Sequence, residues 1–279
     1  MTEILSLFQY QMFVNAVVAA ILSGITCGIV GSYIVSKRIV FISGGITHAS
    51  FGGIGLALFL GISPLLGGVF FAALAAIGVK LLSQKSSIRE DSSIAIWWAL
   101  GMSLGVIFTK LTNGYTPSIE SFLFGSILGV TNSELLFMLI LAIAIIAIFS
   151  ILYRPILYSA FDESYAKVVG LPVNLINYSL SIVIAVTIVL NIRVAGVILI
   201  IALMTIPQAI AGLISKSLGQ QMILSSIFGA AAAVLGLYIS YFADIPSGPS
   251  IVLALIAVYL IVWGFTKFKK SKSCKQQRA

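Results

Sequence analysis

Charge is what this sequence lacks. Only 9% of its 279 residues are Asp, Glu, Lys or Arg, against 60% hydrophobic residues and a mean hydropathy of +1.15. Water-soluble domains carry roughly 25% charged residues. Composition therefore excludes a soluble fold and points to an all-α, polytopic bundle of transmembrane helices. Histidine is nearly absent as well: His48 is the one imidazole in the chain. Cysteine occurs twice, at Cys27 in the first apolar segment and Cys274 in the basic tail. Those positions fall at different levels of a membrane, which argues against a disulfide or a paired metal site. The N-terminal segment has an acid at Glu3, no basic leader and no small-x-small cleavage site, so it reads as a retained span rather than a signal peptide. No hydrophilic stretch is long enough for a second domain, and 1–279 reads as a single transmembrane domain.

Motors are missing too. There is no G-x-x-x-x-G-K-[ST] phosphate loop, so the chain has no ATPase of that kind. No Asp or Glu falls in mid-span, where ion-coupled carriers place their relays. There is no G-x-S-x-G elbow and no H-E-x-x-H, and nothing sets a serine against His48 for a membrane hydrolase.

What is present is length. A bilayer core needs about 20 apolar residues per helix. Nine segments qualify, near 9–36, 39–61, 63–84, 90–111, 132–153, 173–191, 194–214, 219–242 and 249–267. Eight spans is the alternative count. Ser121 to Val130 is too short to cross and reads as a short helix on or dipping into one face. With the N-terminus outside and the C-terminus cytoplasmic, 14 of the 16 Lys and Arg residues fall inside, leaving Lys110 and Arg193 outside. The positive-inside rule favours this orientation. The net charge of +8 thus serves first as a topology signal and then as attraction to anionic headgroups of the bilayer; nucleic acid is not an expected partner.

Two stretches carry the functional signal. In GGITHASFGGIG, residues 44–55, a helical period of about 100° per residue puts Gly44, His48, Gly52 and Gly55 on one face, with Phe41 and Phe51 close to it. Small residues at that spacing let a neighbouring backbone approach, which accounts for glycines but not for the histidine. His48 lies about 13–15 Å into its span at 1.5 Å per residue, close to mid-bilayer. An ionisable group there faces a bundle interior or a hydrated path, and imidazole ligates divalent transition metals. A single backbone hydrogen bond would explain it equally well. Thr47 and Ser50 are the weak neighbouring donors. Zinc takes about four ligands, so the site reads as weak, as a transport path must be. The second stretch, Arg154 to Leu171, has apolar residues at spacings of three and four and reads as one short amphipathic helix stopped by Gly170 before Pro172. It is either a surface helix on the headgroups or a docking helix for a cytoplasmic motor.

Four stretches together resemble the membrane permeases of bacterial ABC importers for zinc and manganese, the ABC-3 family. They are GGITHASFGGIGLAL, SFLFGSILGVTNSEL, SAFDESYAKVVGLPV and, late in the chain, GVILIIALMTIPQAIA with DIPSGPSIVL. The first is similar to a G-D-x-x-x-H-A signature. The resemblance implies a homodimer in the bacterial cytoplasmic membrane, a separate ATP-hydrolysing subunit, an extracytoplasmic metal-binding protein, and transported Zn²⁺ or Mn²⁺ rather than a resident cofactor. ATP would be bound on the partner. It implies that His48 lines the path, and that Phe161, Asp162, Glu163, Tyr165 and Gly170 belong to a coupling helix, with Asp162 and Glu163 as interface charges. Where the family has an Asp before the histidine, this chain has glycine, read as Gly45, three residues back. Loss of that carboxylate weakens attraction for a divalent cation. A permease for metal chelates of the siderophore or cobalamin type has similar logic, but is longer. A secondary cation carrier would need the missing mid-span acids, and a scaffold would leave the His48 stripe unexplained.

Overall fold

The computed structural model describes residues 9–86, 88–112, 125 and 127–276, with the side chains of 85, 193–194 and 268–276 set aside. The described residues form helices and a single 3₁₀ turn. They are α1 (Gln11–Ser36), α2 (Phe41–Leu60), α3 (Pro64–Lys85), α4 (Glu90–Leu111), the turn Ile127–Gly129, α5 (Asn132–Ile151), α6 (Tyr153–Phe161), α7 (Glu163–Val168), α8 (Val173–Leu203), α9 (Ile206–Gly212), α10 (Leu218–Ala243) and α11 (Ser247–Gln276). Nine helical segments among them are long and apolar enough to cross a membrane, matching the nine read from hydropathy. The helix expected from Ser121 to Val130 lies mostly outside the described residues; only its end is seen, as the 3₁₀ turn.

Local chemistry sets the helix ends. The Thr131 hydroxyl accepts from the Glu134 amide while the Glu134 carboxylate accepts from the Thr131 amide, a capping box that starts α5. Pro64 opens α3, and Gly61, with φ of 69°, closes α2 in the left-handed conformation that glycine adopts without strain. Glu90 and Asp91 begin α4 and Lys110 ends it, each sign opposing the helix dipole. Gly196, with φ 75° and ψ 164°, breaks α8 and separates the span Val173–Ile192 from Ala195–Gly212.

Packing follows two glycine-lined seams. Along the first, Gly24 and Gly28 of α1 lie against the backbones of Ala230 and Ser226 of α10, leaving no room for a Cβ. Along the second, α2 and α4 meet backbone to backbone: a Cβ on Gly52 would lie 2.9 Å from the Gly101 carbonyl oxygen, and one on Gly55 2.6 Å from that of Gly105. Such contact replaces the hydrophobic drive that lipid removes. The long helix α8 packs against α1, α2, α3 and α11 and is buried along much of its first half. By contrast α4, α5 and α11 show most of their apolar surface outward, as lipid-facing helices do.

Candidate functional site

The α2–α4 seam explains how His48 is held. His48, Gly52 and Gly55 follow one another along α2; Trp98, Gly101 and Gly105 follow along α4. Because the glycines let the two backbones touch, the first pair of the two rows is brought face to face. The imidazole of His48 stacks on the indole of Trp98 with ring centroids 4.2 Å apart and planes inclined by 7°. Phe41 also packs on Trp98, its ring 5.9 Å away and tilted by 36°. His48 is half-buried, and no described group hydrogen-bonds either ring nitrogen. The backbone-carbonyl reading of the histidine therefore fails. A neutral imidazole carries one N–H and one lone pair in the ring plane, and neither meets a hydrogen-bond partner among the described residues.

The other expected ligands divide. The hydroxyls of Thr47 and Ser50 are buried and turned into their own helix: Thr47 donates to the Ser43 carbonyl at 2.5 Å and Ser50 to the Thr47 carbonyl at 2.7 Å. Neither touches the imidazole. The glycine reading needs a correction. A Cβ on Gly45 would collide with the Ile94 side chain, so that face of α2 is packed against the apolar root of α4. One on Gly44 would meet only Ile201 Cδ1 at 3.7 Å and Trp98 Cζ3 at 3.8 Å, ordinary contact distances. Gly44, one turn before His48 and beside Trp98, is the position where a side chain could join the imidazole. Among the described residues no three His, Cys, Asp or Glu side chains gather as a metal site.

Opposite chemistry holds the connection after α5. It is two helices, not the one expected: Asp162 leaves helical geometry (φ −148°, ψ 95°) and its carboxylate accepts from the Tyr165 amide at 2.9 Å, ending α6 and capping α7. Gly170, with φ of 84°, then turns the chain away from α7, as read from the sequence. Glu163 is part-exposed, and its carboxylate is held by partners on neighbouring helices. Lys37, which caps the end of α1, donates to the Glu163 Oε1 at 2.8 Å and to the Asn177 Oδ1 at 2.6 Å. Asn177 Nδ2 donates to the same Glu163 oxygen at 3.0 Å, and Ser159 Oγ donates to Asn177 Oδ1 at 3.0 Å. This clasp ties α1, α6, α7 and α8 at one point. Burial opposes ionisation of Glu163, but the hydrogen bonds and charge of Lys37, with Asn177, hold its carboxyl below the usual range. Burial likewise pulls Lys37 below the usual lysine value, against the attraction of Glu163. Beside it, Lys80 of α3 approaches Glu90 of α4 at 4.0 Å. Outward from the clasp, Phe161, Tyr165 and Val168 are exposed, and Val168 shows 86% of its surface.

Lys37, Ser159, Asn177 and Trp98 were not singled out in the sequence. Lys37 counted only as an inside charge, and an aromatic in an apolar span carries no signal until its partner is known.

A family model described as "ABC 3 transport family" matches residues 9–266. An uncharacterized membrane protein of Synechocystis sp. is 39% identical over 93% of this chain and 92% of its own length. The manganese transport system membrane protein MntC of Halalkalibacterium halodurans is 30% identical over 98% and 96%. Among solved structures, PsaBC from Streptococcus pneumoniae, in complex with Fab, superposes with a TM-score of 0.84 at 33% identity, covering 93% of this chain and 94% of that one. The fold agrees with that match, and the chain belongs to the ABC 3 transport family of membrane permeases.

Proposed function

We propose that this chain is the membrane-spanning permease of an ATP-driven importer for divalent transition-metal ions, manganese or zinc, and that His48 lines the ion path. One observation carries the reading. The chain's sole imidazole stands half-buried in the glycine seam, with no hydrogen-bond partner for either nitrogen among the described residues. A neutral base there offers a divalent cation one soft contact, enough to favour it and too little to trap it. The manganese transport membrane protein among its relatives favours manganese.

The remaining ligands come from water or from a second copy. The α4 face turned away from the seam presents Ile96, Leu100 and Ile107 outward, an apolar surface that suits contact with a second copy in a homodimer. The end bearing Lys37, Lys80 and Glu90 is cytoplasmic by charge balance. There the exposed Phe161, Tyr165 and Val168 dock a separate ATPase, which alone hydrolyses ATP, and the clasp passes its movement to α1 and α8. An extracytoplasmic metal-binding protein delivers the ion.

Uptake of radioactive manganese and zinc into proteoliposomes tests this, using the permease with its ATPase and metal-binding protein. ATP-dependent uptake that fails in His48→Ala supports the proposal. Uptake of neither ion by the wild type contradicts it and leaves metal chelates as the cargo.

A further inference from the structure

We propose that Trp98 is a positioning residue for His48: its indole, flat against the imidazole, fixes the ring plane while leaving the unprotonated ring nitrogen uncovered for a divalent cation. The inference rests on His48 meeting the transported ion. A metal-binding histidine is normally oriented by donating its second N–H to a carboxylate or carbonyl. His48 has no such acceptor among the described residues. One turn back stands Gly44, with no side chain to offer one, and the space over Gly45 is filled by Ile94.

A stacked plate does the same job by different means. It presses on the face of the ring, at 4.2 Å and nearly parallel, and so restricts rotation about the Cβ–Cγ bond. The nitrogen lone pair and the N–H point out through the ring edge, which the plate leaves uncovered. Trp98 is itself held, by Phe41 on one side and by the backbone contact of Gly101 with Ala49 one turn further along α4. The glycines of the seam thereby acquire a second purpose: they set the interhelical distance at which the two rings stack.

The test uses the complete transporter in lipid, as wild type, Trp98→Phe, Trp98→Leu and His48→Ala, with Mn²⁺ as the probe. Two readouts are taken. One is KM and maximal rate of ATP-driven Mn²⁺ uptake. The other is the nitrogen NMR signal of ¹⁵N-histidine incorporated into this chain alone, where every ring signal belongs to His48. Trp98→Leu keeps an apolar side chain but removes the plate. It is expected to raise KM about tenfold, the lower end of what loss of an orienting partner costs, with maximal rate and basal ATPase near wild type, and to broaden or split the metal-free ring signal. Trp98→Phe, which keeps an aromatic plate, is expected to retain a single narrow signal and most of the affinity. A Trp98→Leu permease with wild-type KM and a single narrow signal overturns the inference, as does Trp98→Phe behaving like Trp98→Leu. Failure of the parent reading looks different: His48→Ala would then take up Mn²⁺ normally, whatever the Trp98 variants do.

Discussion

The α2–α4 seam and the α1–α7–α8 clasp solve opposite problems. The seam is built from glycines, one tryptophan and one neutral base, with no acid grouped with His48 among the described residues. The clasp packs a lysine, a glutamate and an asparagine into contacts of 2.6–3.0 Å at the rim of the bundle. With only 9% charged residues to place, this chain puts charge at the rim and leaves the membrane interior to shape. The difference is physical. In hydrocarbon an unpaired charge is costly, so a path that must bind and release uses a group that can be neutral. At the rim, water and opposite charges share the cost, and an ion pair can hold two elements in register.

Removing His48 is the largest expected effect. His48→Ala should cut ATP-driven Mn²⁺ uptake more than the roughly 10–100-fold typical of outer-shell losses, with basal ATPase retained; uptake assays beside ATPase assays check this. The seam's geometry comes next. Gly55→Leu forces a side chain into the Gly105 carbonyl, and overpacking of this kind costs about 1–3 kcal/mol. The thermal midpoint should fall, and uptake with it, because the rings separate.

The clasp should fail differently. Lys37→Met or Glu163→Gln is expected to cost about 1–2 kcal/mol, less than the roughly 3–5 for a fully buried pair, since the Glu163 side chain is 42% exposed. Expression and ATPase binding should survive while ions moved per ATP hydrolysed drop. If both regions fail in the same way, the division of labour is wrong. A finer test separates the two glycines: Gly44→Asp should fold and tighten Mn²⁺ binding, whereas Gly45→Asp should lower the thermal midpoint by driving a carboxylate into Ile94.

The smallest effect is pH dependence. A depressed Glu163 pKa means the folded state binds its proton less readily than the unfolded chain does. The stabilisation is therefore present above the ordinary carboxyl pKa and is lost as pH falls through the folded value. Thermal midpoints measured downward from about pH 6 should decline less in Glu163→Gln than in wild type.

Much of this was legible in the sequence, for reasons that differ by element. The spans are local properties of hydropathy, and all nine were readable to within a few residues. The Gly44–His48–Gly52–Gly55 stripe was readable because helical period is also local. Its partner was not: any of several apolar helices could have supplied the facing row, and Trp98, Gly101 and Gly105 gain meaning only once α4 is docked. The G-D-x-x-x-H-A pattern counts its Asp four residues before the histidine, which is Gly44 and not Gly45, and the space over Gly44, against the Ile94 side chain over Gly45, fits that count. The break at Asp162 was hidden because the apolar spacing runs on through it, while the cap depends on a single carboxylate. The clasp was least legible, since Lys37 and Glu163 are 126 residues apart.

The most direct measurement is pulsed EPR of Mn²⁺ bound to the permease–ATPase complex in lipid, with ¹⁵N-histidine in this chain alone. A ¹⁵N coupling to the metal can arise only from His48, and it should be present in the wild type and vanish in His48→Ala. A wild-type complex that binds Mn²⁺ with no ¹⁵N coupling would contradict the assignment of His48 to the ion path.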